Sequence, residues 1–310
     1  MTSCIFGPVP SRRLGRSLGI DLIPHKTCTY DCLYCQVGPT TNHTATPNEH
    51  IPLNTVIKEL KTKLDTHPDY ITLSGSGEPT LYAPLADLID RIKDLTDIPI
   101  AVLTNGSLLW QPHIRQSLMR ADLVAPSLNA GSPATFQKIN RPHPDITFDK
   151  MLEGLIQFRR EFTGQYWLEV FIIEGINTDP AEIQNLAHCI ARIDPDRVQL
   201  NTATRPTADP SVLAVAPDKL RQIAAQISDK AEVIADFPHK TDRELSSAQC
   251  LDVLNLLQRR PCSLDDIAAG LALKPYQASK YVDELLTAQK IIRQTKNNKT
   301  YYLALEQPSP

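Results

Sequence analysis

The 310-residue chain lacks long apolar runs, an excess of charge of one sign, and internal repeats. No apolar stretch approaches the roughly 20 residues that a membrane-spanning helix needs, and the first 13 residues contain no apolar segment of the kind found in secretion signals. The formal net charge of −3 provides no global basic field for nucleic acid. We therefore expect a cytoplasmic globular protein that has no membrane partner and whose contacts with any nucleic acid are local.

The chain also has too few clustered cysteines for a closed metal site. Its seven cysteines are an odd number and, without an export signal, indicate reduced thiols or metal ligands. Cys28, Cys32 and Cys35 follow a C-x3-C-x2-C spacing, and no fourth cysteine lies nearby. Four thiolates close a structural zinc site or fill every iron of a cubane, whereas three can hold a [4Fe–4S] cluster with one open iron. A zinc site is the alternative, with a fourth ligand recruited from His25, His43 or Cys4.

Short apolar strands and amphipathic helices alternate from about residue 17 to about residue 237, which predicts an α/β fold with a parallel sheet and outer helices. About six such units fall short of the eight in a complete barrel. The predicted strands cover residues 17–24, 70–73, 100–104, 123–128, 167–173 and 198–200. The predicted helices cover residues 53–64, 85–95, 113–120, 148–162, a segment that Asp179 caps, and a closing helix that starts at 219.

Four polar motifs follow predicted strands: the cysteine loop, Gly75-Ser76-Gly77-Glu78-Pro79, Asn105-Gly106, and Ser127-Leu128-Asn129. Because the carboxyl ends of parallel strands share one edge, we expect these motifs to form one site. Ser127 and Asn129 alternate with Leu128 and should therefore point to the same face. For each motif taken alone, an ordinary Gly-Pro turn, Asn-Gly turn or strand-end cap remains the alternative.

The C-terminal part has a different pattern, with three amphipathic helical segments and then two strand-like runs around residues 296–299. Ser263 and Asp266 are spaced as a capping box that opens the second helix. This order is typical of a winged helix-turn-helix. We predict a core at residues 1–240, a polar linker at 241–247 and a winged-helix domain at 248–306. Its wing concentrates Lys290, Arg293, Lys296 and Lys299, but a net charge of +1 over residues 244–310 is a weak footprint for DNA binding.

The cysteine spacing, together with the aromatic Tyr34 before the last cysteine, resembles the radical S-adenosylmethionine (SAM) superfamily. The resemblance implies a partial (β/α)6 barrel, a [4Fe–4S] cluster on Cys28, Cys32 and Cys35, and SAM on the open iron. It also implies reductive cleavage of SAM to a 5′-deoxyadenosyl radical that abstracts hydrogen from a substrate. The cofactor-binding residues that it implies, or that the strand ends suggest, are Tyr34, Gly77, Glu78, Asn105, Ser127 and Asn129. The family's Gly-Gly-Glu segment is changed here, since its first glycine is Ser76.

Residues 6–19 and the motifs above most closely resemble an Fe–S oxidoreductase group related to the tRNA wyosine synthases. Those synthases have a second cluster upstream of the cysteine loop, where this chain has only Cys4. No flavodoxin-like domain is evident, so the resemblance implies an external electron donor of flavodoxin or ferredoxin type.

Three functions remain open: an enzyme that acts on RNA or a small molecule, a glycyl-radical activase that acts on a partner protein, and a regulator that senses redox state or iron. In each, the winged helix would contact nucleic acid or protein. Six basic residues near the strand ends are candidate contacts for an anionic substrate, although exposed loop arginines are the more common case: Arg12, Arg13, Arg16, Arg141, His143 and Arg205.

Overall fold

The computed structural model describes residues 3–11, 13–235 and 250–305. The first strands in chain order are β1 Ile5–Ser11, β2 Gly15–Ile20, β3 Thr27–Cys28, β4 Asn42–His43, β5 Tyr70–Leu73, β6 Ile100–Leu103, β7 Leu123–Ala125, β8 Gln165–Ile172, β9 Arg197–Thr202 and β10 Ala231–Val233. Eight of them form one sheet, in the order β1-β2-β5-β6-β7-β8-β9-β10. The two short strands β3 and β4 pair only with each other. Strand β1 pairs antiparallel with β2, and all other neighbours in the sheet are parallel.

Helices join the parallel strands, and α/β is confirmed as the fold class. They are α1 Leu53–Lys61, α2 Leu85–Leu95, α3 Pro112–Ser117, α4 Pro133–Asn140, α5 Phe148–Glu161, α6 Pro180–Ile193 and α7 Pro217–Ile227. Each packs an apolar stripe on the sheet, as α2 does with its buried Leu85, Leu88, Ile89 and Ile92. Helix α6 begins as predicted, because the Asp179 side chain accepts a hydrogen bond from the Ala181 N–H at 2.9 Å.

The structure differs from the predicted elements at several places. Strand β1, helix α4 and strand β10 were not predicted, and the predicted strand at residues 17–24 is instead β2, which ends at Ile20. Helix α1 ends at Lys61 because residues 64–66 form a separate 3-10 turn. None of these differences changes the parallel order, so the predicted strand ends still meet at one edge.

The C-terminal segment has three helices and an antiparallel hairpin: α8 Cys250–Leu257, α9 Leu264–Gly270, α10 Pro275–Thr287, β11 Ile291–Lys296 and β12 Lys299–Ala304. The capping box is confirmed, since Ser263 Oγ accepts from Asp266 N at 3.2 Å and Asp266 Oδ2 accepts from Ser263 N at 3.0 Å. The predicted linker at residues 241–247 lies outside the described residues. No helix among the described residues is long and apolar enough to cross a membrane.

The C-terminal segment packs against β1 and the rest of the sheet. Val9 of β1 belongs to the same buried apolar cluster as Val253 and Ile267. Two buried ion pairs cross the contact, Arg259–Asp21 at 3.3 Å and Arg205–Asp266 at 3.4 Å. Apolar burial and charge pairing therefore both hold this segment against β1 and the loops beside the sheet.

Candidate functional site

The carboxyl ends of β2, β5, β6 and β7 meet at one edge, which we call the cofactor rim. The segment with the cysteines follows β2 and lies against the turn after β5. Lys26 N donates to Ser76 O at 2.9 Å, and Glu78 N donates to Thr27 O at 3.3 Å. A Cβ atom on Gly77 would lie 2.0 Å from Thr27 O, so only glycine allows this approach. The close approach at Gly77 is therefore made to the cysteine segment itself.

Each of the three cysteine thiols accepts a hydrogen bond from a different side-chain nitrogen, and two of these nitrogens come from distant parts of the chain. Asn105 Nδ2, after β6, lies 3.6 Å from Cys28 Sγ. Asn140 Nδ2, at the end of α4, lies 3.4 Å from Cys32 Sγ, and Lys26 Nζ lies 3.2 Å from Cys35 Sγ. Donors of this kind stabilise negative charge on sulfur, so the surroundings of all three thiols favour ligation of a metal cluster.

Glu78 is 2% exposed and connects the turns that follow β5 and β6. Its Oε1 accepts from the N–H and the hydroxyl of Thr80, at 3.0 and 2.6 Å, and from the Thr104 hydroxyl at 2.5 Å. Its Oε2 accepts from the Asn105 N–H at 2.7 Å. Burial raises the pKa of this carboxyl against the opposing effect of these four donors. Glu78 therefore fixes the relative position of the turns that form the rim.

Asn129 holds Tyr34 at the rim. Asn129 Nδ2 donates to the Tyr34 hydroxyl at 2.7 Å, and its Oδ1 accepts from the Phe171 N–H at 2.9 Å. The Tyr34 ring stacks on Phe171 with ring centroids 4.2 Å apart. Ser127 is half-buried and bridges to Glu169 of β8 through its backbone. All six sequence-predicted cofactor residues thus lie on the loops of this rim, and their contacts with a ligand stay predictions.

The donor set fits a cluster better than a single zinc ion. Among the described residues, no three His, Cys, Asp or Glu side chains converge as the ligands of one ion do. A cubane places each thiolate on a separate iron, so three cysteines spaced along one loop satisfy it. Cys4, one of the proposed fourth zinc ligands, instead lies 3.3 Å from Glu59 Oε2, where burial and that carboxylate raise its pKa to about 12.

Burial also acts on the loop thiols. Burial, and then the charge of Glu78, raise the pKa of Cys28 to about 12. Burial likewise raises the pKa of Cys32. Because metal ligation needs thiolates, assembly of a cluster here must release these protons.

The basic residues that the sequence grouped near the strand ends separate in the structure. Arg16 donates to Thr66 O at 2.8 Å at the start of β2, the opposite edge from the rim, so it is not among the candidates that the structure brings to the rim. Arg141 lies 3.6 Å from the carboxylates of both Asp31 and Asp209. Arg12 lies outside the described residues.

Sequence reasoning missed three residues that contact the cysteine segment. Lys26 is 2% exposed and adopts a left-handed φ of 59°. Asn140 reaches Cys32 across 108 residues of sequence. The Thr29 hydroxyl bonds to Asn105 Nδ2 and to the Ser107 hydroxyl, both at 2.7 Å. The sequence offered one signal for these contacts, a lysine two residues before the first cysteine of the spacing, but its burial could not be read from the sequence.

Comparison with known proteins gives a consistent result. The profile of the radical SAM superfamily matches residues 22–187. A UPF0026 protein of Methanocaldococcus jannaschii is 32% identical over 309 residues, covering 96% of this chain and 95% of the relative. A Brachyspira hyodysenteriae protein named GTPase Obg is 40% identical over 97% of this chain, but the chain spans only 45% of that relative's length. The present sequence has no Gly-Lys pair and therefore no P-loop for a nucleotide.

Among solved structures, Streptococcus suis SuiB bound to the precursor peptide SuiA superimposes with a TM-score of 0.52 at 14% identity, covering 68% of this chain and 47% of that one. At this identity the similarity concerns the fold alone. The profile match covers more than half of the chain and includes the cysteine segment with its three N–H···S contacts. The chain belongs to the radical SAM superfamily, and it is an enzyme whose cofactors are a [4Fe–4S] cluster and S-adenosylmethionine.

Proposed function

We propose that Cys28, Cys32 and Cys35 ligate the [4Fe–4S] cluster, and that this enzyme uses SAM to abstract hydrogen from a substrate. The observation that carries the assignment is the matched set of donors, in which Asn105, Asn140 and Lys26 each approach a different thiol. Asn105 and Asn140 come from distant parts of the chain, so the fold itself brings two of the three donors to the cysteines, and Lys26 of the cysteine segment supplies the third.

We further infer that SAM lies on the strand-end loops beside the cysteines. Gly77 brings the β5 turn against the cysteine segment, and Glu78 keeps that turn in register with Asn105. Ser127 and Asn129 follow β7, the next strand in the sheet. These residues act by positioning backbone and amide groups before the ligand arrives, which avoids reorganisation on binding.

When bound, the two cofactors supply a 5′-deoxyadenosyl radical by reductive cleavage of SAM. The chain's own contribution is a rigid, apolar enclosure. Tyr34 stacks on Phe171, and Leu33 packs in the same buried cluster with Phe171 and Ile173. This cluster limits access of water beside the cysteines, which protects a reactive species from side reactions.

The test is anaerobic reconstitution with iron and sulfide, then addition of dithionite and SAM, with 5′-deoxyadenosine measured by mass spectrometry. We expect product from the wild type and none from the variant in which Cys28, Cys32 and Cys35 are all alanine. A triple variant that forms as much product as the wild type would overturn the assignment. Iron and sulfide content, measured on the same samples, reports cluster loading independently of turnover.

Superfamily members need an external reductant, and we propose a donor of flavodoxin or ferredoxin type.

We also propose that residues 248–306 form a winged-helix domain after a linker at 241–247. Its contact surface for nucleic acid or protein would include Tyr276 on α10, which is 66% exposed. Lys296 is less available, because its Nζ donates to Val212 O at 3.2 Å. Binding of duplex DNA or tRNA by the full chain, with affinity that falls steeply as salt rises, would support a nucleic-acid partner.

The kinship with tRNA wyosine synthases remains part of this proposal, supported by the sequence of residues 6–19. The buried position of Cys4 beside Glu59 gives no support for a second cluster of the kind those synthases carry. An activase and a regulator gain no separate support from any contact among the described residues. The enzyme acting on RNA or a small molecule is therefore the function that we put forward.

A further inference from the structure

A cavity of about 300 Å³ lies within the curve of the sheet. Strands from both halves of the sheet line it, including Ser17 of β2, Thr72 of β5, Glu169 of β8 and Asn201 of β9. Because strands far apart in the sheet order face one cavity, the sheet must curve around it. The C-terminal segment covers part of the remaining side. We call this space the arginine cavity, after the four side chains of that type in its lining: Arg13, Arg205, Arg259 and Arg260.

Two of the four arginines belong to the barrel and two to the C-terminal segment. Arg13, in the turn between β1 and β2, pairs with Glu169 of β8 at 2.7 Å. Arg205 pairs with Asp266, and Arg259 pairs with Asp21. The Arg259 side chain is 8% exposed, and its Nε is buried and donates no hydrogen bond although Asp21 lies close.

Arg260 differs from the other three. Among the described residues it forms no ion pair of its own. Its positive charge helps to lower the pKa of Asp266, but the ion-pair partner of that carboxylate is Arg205. Glu169 is the one carboxylate in the cavity lining within the described part of the chain. The cavity thus retains positive charge after its internal pairs are counted, and a partly enclosed cationic surface attracts an anion.

The cavity is next to the cofactor rim. Ser74 and Gly75 line it, and the chain continues from them into the turn with Gly77 and Glu78. Gln36 also lines it and directly follows Cys35. A molecule held in the cavity would therefore lie close to the cofactors, as a substrate for hydrogen abstraction must.

Firm docking keeps the C-terminal arginines in place. The Tyr301 hydroxyl donates to Thr204 O at 2.9 Å, and Arg259 Nη2 donates to Ser3 O at 3.0 Å. The Arg259 guanidinium also stacks over the Phe6 ring at 4.4 Å. Arg259 is thus a fixed component of the cavity wall, and Arg260 follows it directly in the chain.

We propose that the arginine cavity is the substrate site, that its substrate is a small molecule with a phosphate group, and that the C-terminal segment completes the site through Arg259 and Arg260. This proposal rests on the proposed function. The cavity volume is at the lower end of small-ligand sites, which are about 300–1,000 Å³, and is too small for a folded partner. A phosphate presents its oxygens tetrahedrally to donors that arrive from several sides, as these arginines do, whereas a carboxylate presents two oxygens in one plane.

The test is calorimetric titration of inorganic pyrophosphate into the full-length, cluster-loaded protein at low ionic strength. We expect saturable binding by the wild type and at least about tenfold weaker binding by Arg260→Gln, because a charge-assisted contact is lost. Arg260→Lys should recover part of the affinity. Arg221→Gln, which removes an exposed arginine paired with Asp218 on α7, is the matched control and should bind as the wild type does. Thermal melting of each variant checks that it is folded.

Absence of saturable binding by the wild type would overturn the proposal, as would equal affinity in folded Arg260→Gln. Malonate binding as tightly as pyrophosphate would overturn the phosphate assignment. If saturating SAM abolished pyrophosphate binding, the arginines would belong to the cofactor site and the proposal would be wrong. The 5′-deoxyadenosine assay without substrate separates the two claims, because cleavage can persist when the cavity proposal fails, and pyrophosphate can bind when cleavage fails.

Discussion

The cofactor rim and the arginine cavity are adjacent but are built from different polar groups. At the rim, a buried carboxylate and three thiols are surrounded mainly by neutral amide and hydroxyl donors, such as Asn105, Asn140 and Thr104. In the cavity, the polar contacts are largely ion pairs such as Arg13–Glu169, and Arg260 adds a positive charge to them. Neutral dipoles can orient a ligand without fixing its charge, whereas an excess of arginines over carboxylates selects for negative charge. If both proposals hold, the cofactors and the substrate are recognised by separate physical means.

The largest effect should come from removing one of the three cysteine thiols at the rim. We expect Cys32→Ala to abolish both cluster assembly and 5′-deoxyadenosine production, because no other cysteine follows the loop spacing. Iron content and mass spectrometry measure the two effects. Cys189→Ala is the matched control, since this buried thiol on α6 packs in the apolar core and should leave cluster loading unchanged. Undiminished product from Cys32→Ala would contradict the assignment.

The next effect should come from the carboxylate that joins the strand ends. Glu78→Ala leaves four donors without their acceptor. We expect a loss of about 3 kcal/mol in the free energy of unfolding, measured by urea titration, together with weaker SAM binding and retained iron. The exposed Glu153→Ala should change neither property. Unchanged stability and SAM affinity in Glu78→Ala would show that Glu78 is only a turn residue.

The strand ends could be predicted from sequence because apolar runs and turn residues mark them locally. Strand β1 could not, since Gly7, Pro8 and Pro10 disfavour a strand, and only its edge position beside β2 makes the prolines tolerable. Contacts between segments that are distant in sequence could not be predicted either. Asn140 reaches Cys32 from 108 residues away, and Arg259 pairs with Asp21 from the far end of the chain. Such pairings leave no periodic signal, so the rim was predicted as a set of loops but its internal hydrogen bonds were not.

Low pH should affect the stability of the two regions differently, because the ion pairs on the cavity side require ionised carboxylates. Burial alone would raise the pKa of Asp266, but Arg205, the Ser263 N–H and Arg260 outweigh it and lower the pKa from 3.8 to about 2. The folded-state pKa lies below the unfolded value, so this stabilisation is present above about pH 4 and is lost as the pH falls towards 2. It corresponds to about 2 kcal/mol in the free energy of unfolding.

Urea unfolding between pH 6 and pH 3 measures this dependence. Asp266→Asn should be less stable than the wild type at pH 6, and the difference should shrink at pH 3. Asp229→Asn, at an exposed position, should follow the wild type at both values. A constant gap between Asp266→Asn and the wild type across this range would contradict the assignment of the ion pair.

The smallest predicted effect concerns the cation at the rim. Lys26 Nζ contacts Cys35 Sγ at 3.2 Å, where its positive charge would stabilise the more negative, reduced form of a cluster held by that cysteine. We expect Lys26→Met to shift the reduction potential to more negative values by on the order of 50 mV, as a single charge at this range in a partly screened site should. A redox titration followed by electron paramagnetic resonance measures the shift, with iron content as a check on loading. Lys138→Met, on the exposed face of α4, is the control. An unchanged potential in fully loaded Lys26→Met would mean that the rim tunes its cluster through neutral donors alone, and that charge selection is confined to the arginine cavity.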